Sequence, residues 1–200
     1  LYIPLVGLAG ILAEALWDLK DSKQMRYGAM ALVAVCAVTS FMRGTVWASN
    51  EVLWEDTVAK NPLNALARNN WAQELQKKGQ LDRAVEQYQL VLEYGRQDGT
   101  DNLAYNNLAN IYSAPESGPL FDLNKSRSLL LEGIRRSFRP DEAYVLRFNL
   151  AAVYLQTKDP HSALRELDLL VKDVRESRNE RYAFLIQRAE ALAQQIRSGR

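Results

Sequence analysis

The sequence predicts an all-α chain: a transmembrane helical hairpin followed by an α-solenoid of three repeats with capping helices. Three observations carry that reading. Long apolar runs fill the first 47 residues. Paired amphipathic stretches divided by helix breakers fill the rest, with no strand-like alternation of useful length. A triplet of Asn, a large apolar residue and Ala occurs three times at similar spacing.

Residues 27–42 are uncharged and lie between Arg26 and Arg43. As a helix these sixteen residues extend roughly 24 Å, short of about 30 Å of hydrocarbon. Residues 44–47 can lengthen the span, with Arg43 snorkelling and Trp47 at the interface. Residues 1–13 are also uncharged, and the stretch continues to Trp17, as the second half of another spanning helix would. The chain begins at Leu1, which reads as a fragment lacking its N-terminal part. Residues 18–26 are short enough only for a hairpin turn. Two other readings fit the apolar runs, a hairpin buried in a soluble core and a secretory signal. The upstream run and the absence of a small-residue cleavage pattern count against the signal.

Lys20, Lys23 and Arg26 place the turn on the cytoplasmic side, so the solenoid is expected outside the cytoplasm. The lipid bilayer is then one partner. Glu14 reads as an interfacial, solvated carboxylate, and a functional intramembrane group is the alternative.

Residues 48–64 read as a linking and capping helix. Ser49 is its N-cap, and Glu51 and Glu55 lie near the positive end of its dipole. Beyond it the breakers are Asn61-Pro62, Gly79, Asp98-Gly99, Pro115 to Pro119, Pro140 and Asp159-Pro160. They divide the rest into three helical hairpins, residues 65–98, 102–140 and 144–178, and a C-terminal capping segment, residues 179–200. In that segment a helix over residues 181–197 would bury Tyr182, Leu185, Ala189 and Leu192.

The triplets are Asn70-Trp71-Ala72, Asn107-Leu108-Ala109 and Asn149-Leu150-Ala151. Three residues after each Ala stands Leu75, Tyr112 or Tyr154. Twelve after the first and third stand Ala84 and Ala163. In the middle repeat the small residue is Ser126, seventeen after Ala109, so residues 114–121 hold an insertion of about five residues. Small residues are needed where the two helices of a repeat touch, and the aromatic and branched residues fill the gaps between neighbours. No repeat buries its apolar face alone, so stacking is cooperative.

These triplets, Gly79 and the paired Ala positions resemble the tetratricopeptide repeat (TPR) family over residues 65–172. The resemblance implies a concave groove lined by the first helices, which binds a protein or peptide partner. By phase, Asn69, Gln73, Asn106, Asn110, Phe148 and Ala152 would face it. Only Asn110 matches the residues with which some TPR domains clamp a terminal carboxylate, and no cation accompanies it. The amide-rich lining suits hydrogen bonds to a peptide backbone or to sugar hydroxyls, or is simply solvated.

The junction resembles a second family. Arg43-Gly44-Thr45-Val46-Trp47, Leu53-Trp54-Glu55-Asp56-Thr57 and Lys60-Asn61-Pro62-Leu63-Asn64 look like the end of bacterial multi-spanning proteins with C-terminal TPRs. Those are related to the transmembrane-and-TPR O-mannosyltransferases of the GT-C superfamily. The resemblance implies a parent in the bacterial inner membrane that transfers a sugar from a lipid-linked donor, with its solenoid in the periplasm. The family's catalytic acids lie in an early loop outside this chain, and none is carried over. A membrane-anchored scaffold for envelope assembly and an O-antigen ligase or polymerase-type parent remain open.

The composition points away from other classes. Lys and Arg total 25 against 24 Asp and Glu, and they are interspersed, so no nucleic-acid footprint is expected. One Cys and one His make neither a disulfide nor a metal site. No phosphate loop, nucleophile elbow or zinc motif occurs, so no cofactor and no catalytic residue is expected in this chain.

Overall fold

The computed structural model describes residues 23–46, 49–94 and 100–198, and all regular structure among them is helical. The chain divides into two compact units, Leu1–Leu53 and Trp54–Arg200.

In the first unit, α1 (Lys23–Val46) is continuous over 24 residues. Lys23 to Arg26, expected in a hairpin turn, form its first helical turn instead. Its apolar side chains are exposed on every face, from Tyr27 to Phe41 at 76%. Among the described residues, no helix is long and apolar enough to cross a membrane. The uncharged stretch between Arg26 and Arg43 is sixteen residues, which at helical rise falls short of the hydrocarbon thickness. The expected spanning hairpin is therefore unsupported by the structure. Its first helix and Glu14 lie outside the described residues. α2 (Asn50–Lys60) links the two units. Ser49 accepts from Val52 N (3.3 Å) as its N-cap.

The second unit contains three helical hairpins: α3 (Ala65–Lys77) with α4 (Leu81–Tyr94), α5 (Thr100–Ser113) with α6 (Leu123–Arg136), and α7 (Pro140–Gln156) with α8 (Pro160–Ser177). A 3-10 turn (Glu180–Tyr182) and α9 (Ala183–Arg197) follow. Each helix packs on the next, and α5 also packs on α3 and α7. First helices thus stack on first helices, the arrangement of an α-solenoid.

The small-residue pairs lie where the sequence places them. Ala72, Ala84, Ala109, Ser126, Ala151 and Ala163 are all buried, none more than 1% exposed. Ser126 satisfies its hydroxyl by donating to the Ala109 carbonyl (2.8 Å), which joins α5 to α6. A single pattern closes every repeat. The carbonyl three residues after the triplet Ala accepts from the N–H four residues before the small residue of the second helix. These bonds are Gln80 to Leu75 (3.0 Å), Asp122 to Tyr112 (2.8 Å) and Asp159 to Tyr154 (2.8 Å). The middle loop reaches the same closure although it is longer. Its extra residues form a 3-10 turn, Pro115–Leu120, with Ser117 buried and Gly118 at φ 58°.

The caps follow from local chemistry. Asn64, Asp122 and Asp159 accept first-turn N–H groups of α3, α6 and α8. In the C-terminal segment Leu185, Ala189 and Ala193 are buried, with Leu192 and Tyr182 half-buried. Tyr182 stacks edge-on against Tyr144 at 5.2 Å.

A second equivalence links the repeats. Four residues before the triplet Ala stand Arg68, Tyr105 and Arg147. Arg68, 7% exposed, donates to Gln87 Oε1 (2.5 Å) and to the Pro62 carbonyl (2.7 Å). At the matching place in the third repeat, Arg147 pairs with the Glu166 carboxylate (2.8 Å). Both pairs are separated by nineteen residues.

Candidate functional site

The first helices α3, α5 and α7 carry the expected groove residues on one side of the stack. Gln73, Asn106, Phe148 and Ala152 are half-buried, and Asn110 is exposed. Asn69 lies differently from its expected position: it is 1% exposed. The reason is that α5 packs onto α3, and Asn107 Nδ2 donates to Asn69 Oδ1 (3.3 Å) across that contact. The Asn69 Nδ2 is buried without a hydrogen-bond partner.

The second contact of this kind shapes the groove. Asn149 Nδ2 donates to Asn106 Oδ1 (2.6 Å) and to Asn110 Oδ1 (3.3 Å). The triplet Asn of one repeat therefore reaches back to the first helix of the repeat before it, in both inter-repeat steps. With the Asn106 and Asn110 oxygens both accepting from Asn149, their NH₂ groups are free to donate to a ligand. Phe148 lies under the Arg188 guanidinium, 5.0 Å from ring centroid to Cζ, so one ring face is covered from α9.

Sequence reasoning missed the apolar row. Leu66, Leu103 and Val145 are 52%, 48% and 40% exposed, one on each first helix. Each stands six residues before its triplet Ala, so counting back through the repeat would have found them. Each first helix thus leaves one large apolar side chain open at the same position of its repeat.

It also missed a cleft of about 390 Å³ between α5, the start of α7 and the 3-10 turn. Leu103, Asn106, Val145, Arg139, Arg181 and Tyr182 are among its lining residues. Both arginines come from interhelical segments, outside the helical phase that identifies groove positions.

Glu142 organises the rim. It accepts from Asn102 Nδ2 (3.0 Å), Phe138 N (3.0 Å) and Arg139 Nε (2.9 Å). Burial pushes its pKa up, but the bonds from Arg139 and Phe138 outweigh that and hold it below the ordinary glutamate value. Nearby Asp101, 7% exposed, is raised above the ordinary aspartate value by burial. Among the described residues, no group of three or more His, Cys, Asp or Glu could hold a metal ion.

No protein-family model matches this chain, and no curated protein or solved structure matches it.

Proposed function

We propose that this chain is a TPR-type interaction module of a membrane-associated protein, and that its concave face holds a protein partner. The supporting observation is the apolar row Leu66, Leu103 and Val145, open on successive first helices beside the Asn106 and Asn110 amides. Side chains that serve only packing would be covered in at least the central repeat, where both neighbours are present.

In this reading α1 provides the membrane association. A helix with apolar side chains exposed all round requires an apolar environment. The module extends outside the cytoplasm, in the bacterial periplasm. The junction resemblance adds that the parent is a GT-C-like glycosyltransferase, for which the module positions an acceptor.

The test is capture of envelope proteins by the full chain. Asn106→Ala combined with Asn110→Ala should weaken recovery of a discrete partner while the helical circular dichroism and melting cooperativity persist. Undiminished recovery by the folded double variant would overturn the assignment of the groove. A reporter fused after Arg200 should be active outside the cytoplasm, and cytoplasmic activity would overturn the topology.

A further inference from the structure

We infer that the cleft between α5, α7 and the 3-10 turn binds an internal segment of an extended polypeptide with an apolar side chain two residues from an Asp or Glu. The inference rests on the concave face being a partner site, and it names what that site reads.

The charges of the cleft leave one cation unmatched. Arg139 pairs with Glu142 (2.9 Å) and lies 3.8 Å from Asp141. Asp141 also lies 3.4 Å from the Tyr182 hydroxyl, and Glu142 is taken up by Asn102, Arg139 and Phe138 N. Both lining carboxylates thus have partners. Arg181 has no carboxylate partner among the described residues, and its guanidinium lies only near the ring of adjacent Tyr182, at 5.7 Å. Its guanidinium is exposed and available to pair with an acidic group of a ligand.

The rest of the cleft defines what accompanies that charge. Leu103 and Val145 are each at least 40% exposed and give it an apolar surface. Asn106 is oriented by Asn149, which donates to its oxygen at 2.6 Å, and its NH₂ group has no partner of its own among the described residues. That NH₂ group can donate to a main-chain carbonyl of the ligand. An extended chain places residues i and i+2 on the same side. One can enter the apolar surface, the other can meet Arg181, and a main-chain carbonyl can accept from Asn106. The open row continues to Leu66 on α3, so the segment runs on past the cleft instead of ending in it.

The experiment is selection of a phage library of random linear peptides on the full chain in detergent micelles. The library is displayed in two formats, with the peptide internal and with a free C-terminus. Enriched internal clones should share an apolar residue two positions from Asp or Glu. Replacing that acid by its amide should weaken binding to the wild-type chain about fivefold to tenfold. The same replacement should change binding to Arg181→Gln hardly at all, and Arg181→Lys should restore part of the difference. Helical circular dichroism shows that each variant is folded. Three outcomes overturn the inference: enrichment of basic or uncharged peptides, enrichment only with a free C-terminus, or an equal effect of the acid replacement on wild type and Arg181→Gln. If such peptides still lose affinity to Asn106→Ala with Asn110→Ala, the groove reading stands without this inference. Failure of both formats to enrich any peptide overturns both.

Discussion

Asn149 donates its carboxamide N–H to Asn106 Oδ1 at 2.6 Å, and Asn107 makes the equivalent bond to Asn69 at 3.3 Å. The Asn of each triplet after the first therefore clamps its repeat onto the one before. The two bonds differ in surroundings. Asn69 is 1% exposed and already has an unsatisfied Nδ2, whereas Asn106 is half-buried and Asn110 exposed. Asn107→Ala leaves a buried acceptor without a partner and should cost about 1–3 kcal/mol. Asn149→Ala leaves acceptors that water can reach and should cost about 0.5–1.5 kcal/mol. Urea denaturation of both variants checks the order, and equal losses would refute the distinction.

The Arg68–Gln87 and Arg147–Glu166 pairs predict a stabilising substitution. Arg68 is a buried cation bonded to an amide where the third repeat offers a carboxylate. Gln87→Glu should stabilise the folded state by about 1–2 kcal/mol at neutral pH, through the stronger charge-assisted bond. The gain should disappear on acidification as the new carboxylate protonates. An unchanged or lowered midpoint at neutral pH would count against the pairing.

Gly133 has no room for a side chain. An added Cβ would lie 2.9 Å from Leu146 Cδ1 and 3.0 Å from Tyr105 Cβ. The leucine end can turn aside, but Tyr105 Cβ is fixed to α5. Gly133→Ala gains helix propensity yet should lose about 1–3 kcal/mol through overpacking of α6 against α5 and α7. A more stable variant in thermal denaturation would show that the three helices separate more easily than their packing indicates.

Acid titration separates Glu142 from Asp101. The folded pKa of Glu142 is lowered, so its contribution is present above the unfolded value of about 4.3 and is lost as pH falls through the lower folded value. The folded pKa of Asp101 is raised, so its contribution is full below the unfolded value of about 3.9 and is lost as pH rises through the folded value. Between about pH 6 and about pH 3, Glu142→Gln should therefore lose less stability than the wild type, and Asp101→Asn should lose more. Stability measured across that range checks both signs.

Much of the solenoid was legible in the residues because its constraint is local and repeated. Ala72, Ala109 and Ala151 must be small where two helices touch, and their spacing reveals the register. The insertion was visible as the displacement of Ser126, although nothing in the composition disclosed that its loop closes on the Tyr112 carbonyl. Phase alone could not decide that Asn69 is covered, because that depends on how closely α5 approaches α3. The cleft was the least legible part. Arg139 and Arg181 come from connecting segments, 42 residues apart in the chain, and only the folded stack brings them to one rim. The hairpin expectation relied on apolar runs, and runs alone do not distinguish a complete span from a shorter apolar helix.

The central claim is that the concave face, and not the outer one, holds the partner. Photo-crosslinking from single positions in native membranes tests it most directly, with a benzophenone side chain at Leu103 on α5 or at Leu131 on α6. Both residues are exposed to a similar degree, 48% and 44%, so access does not bias the comparison. The predicted result is a discrete adduct to one polypeptide from position 103, absent from position 131 and lost in the Asn106→Ala with Asn110→Ala background. Adducts of equal yield from both positions, or from position 131 alone, would contradict the account.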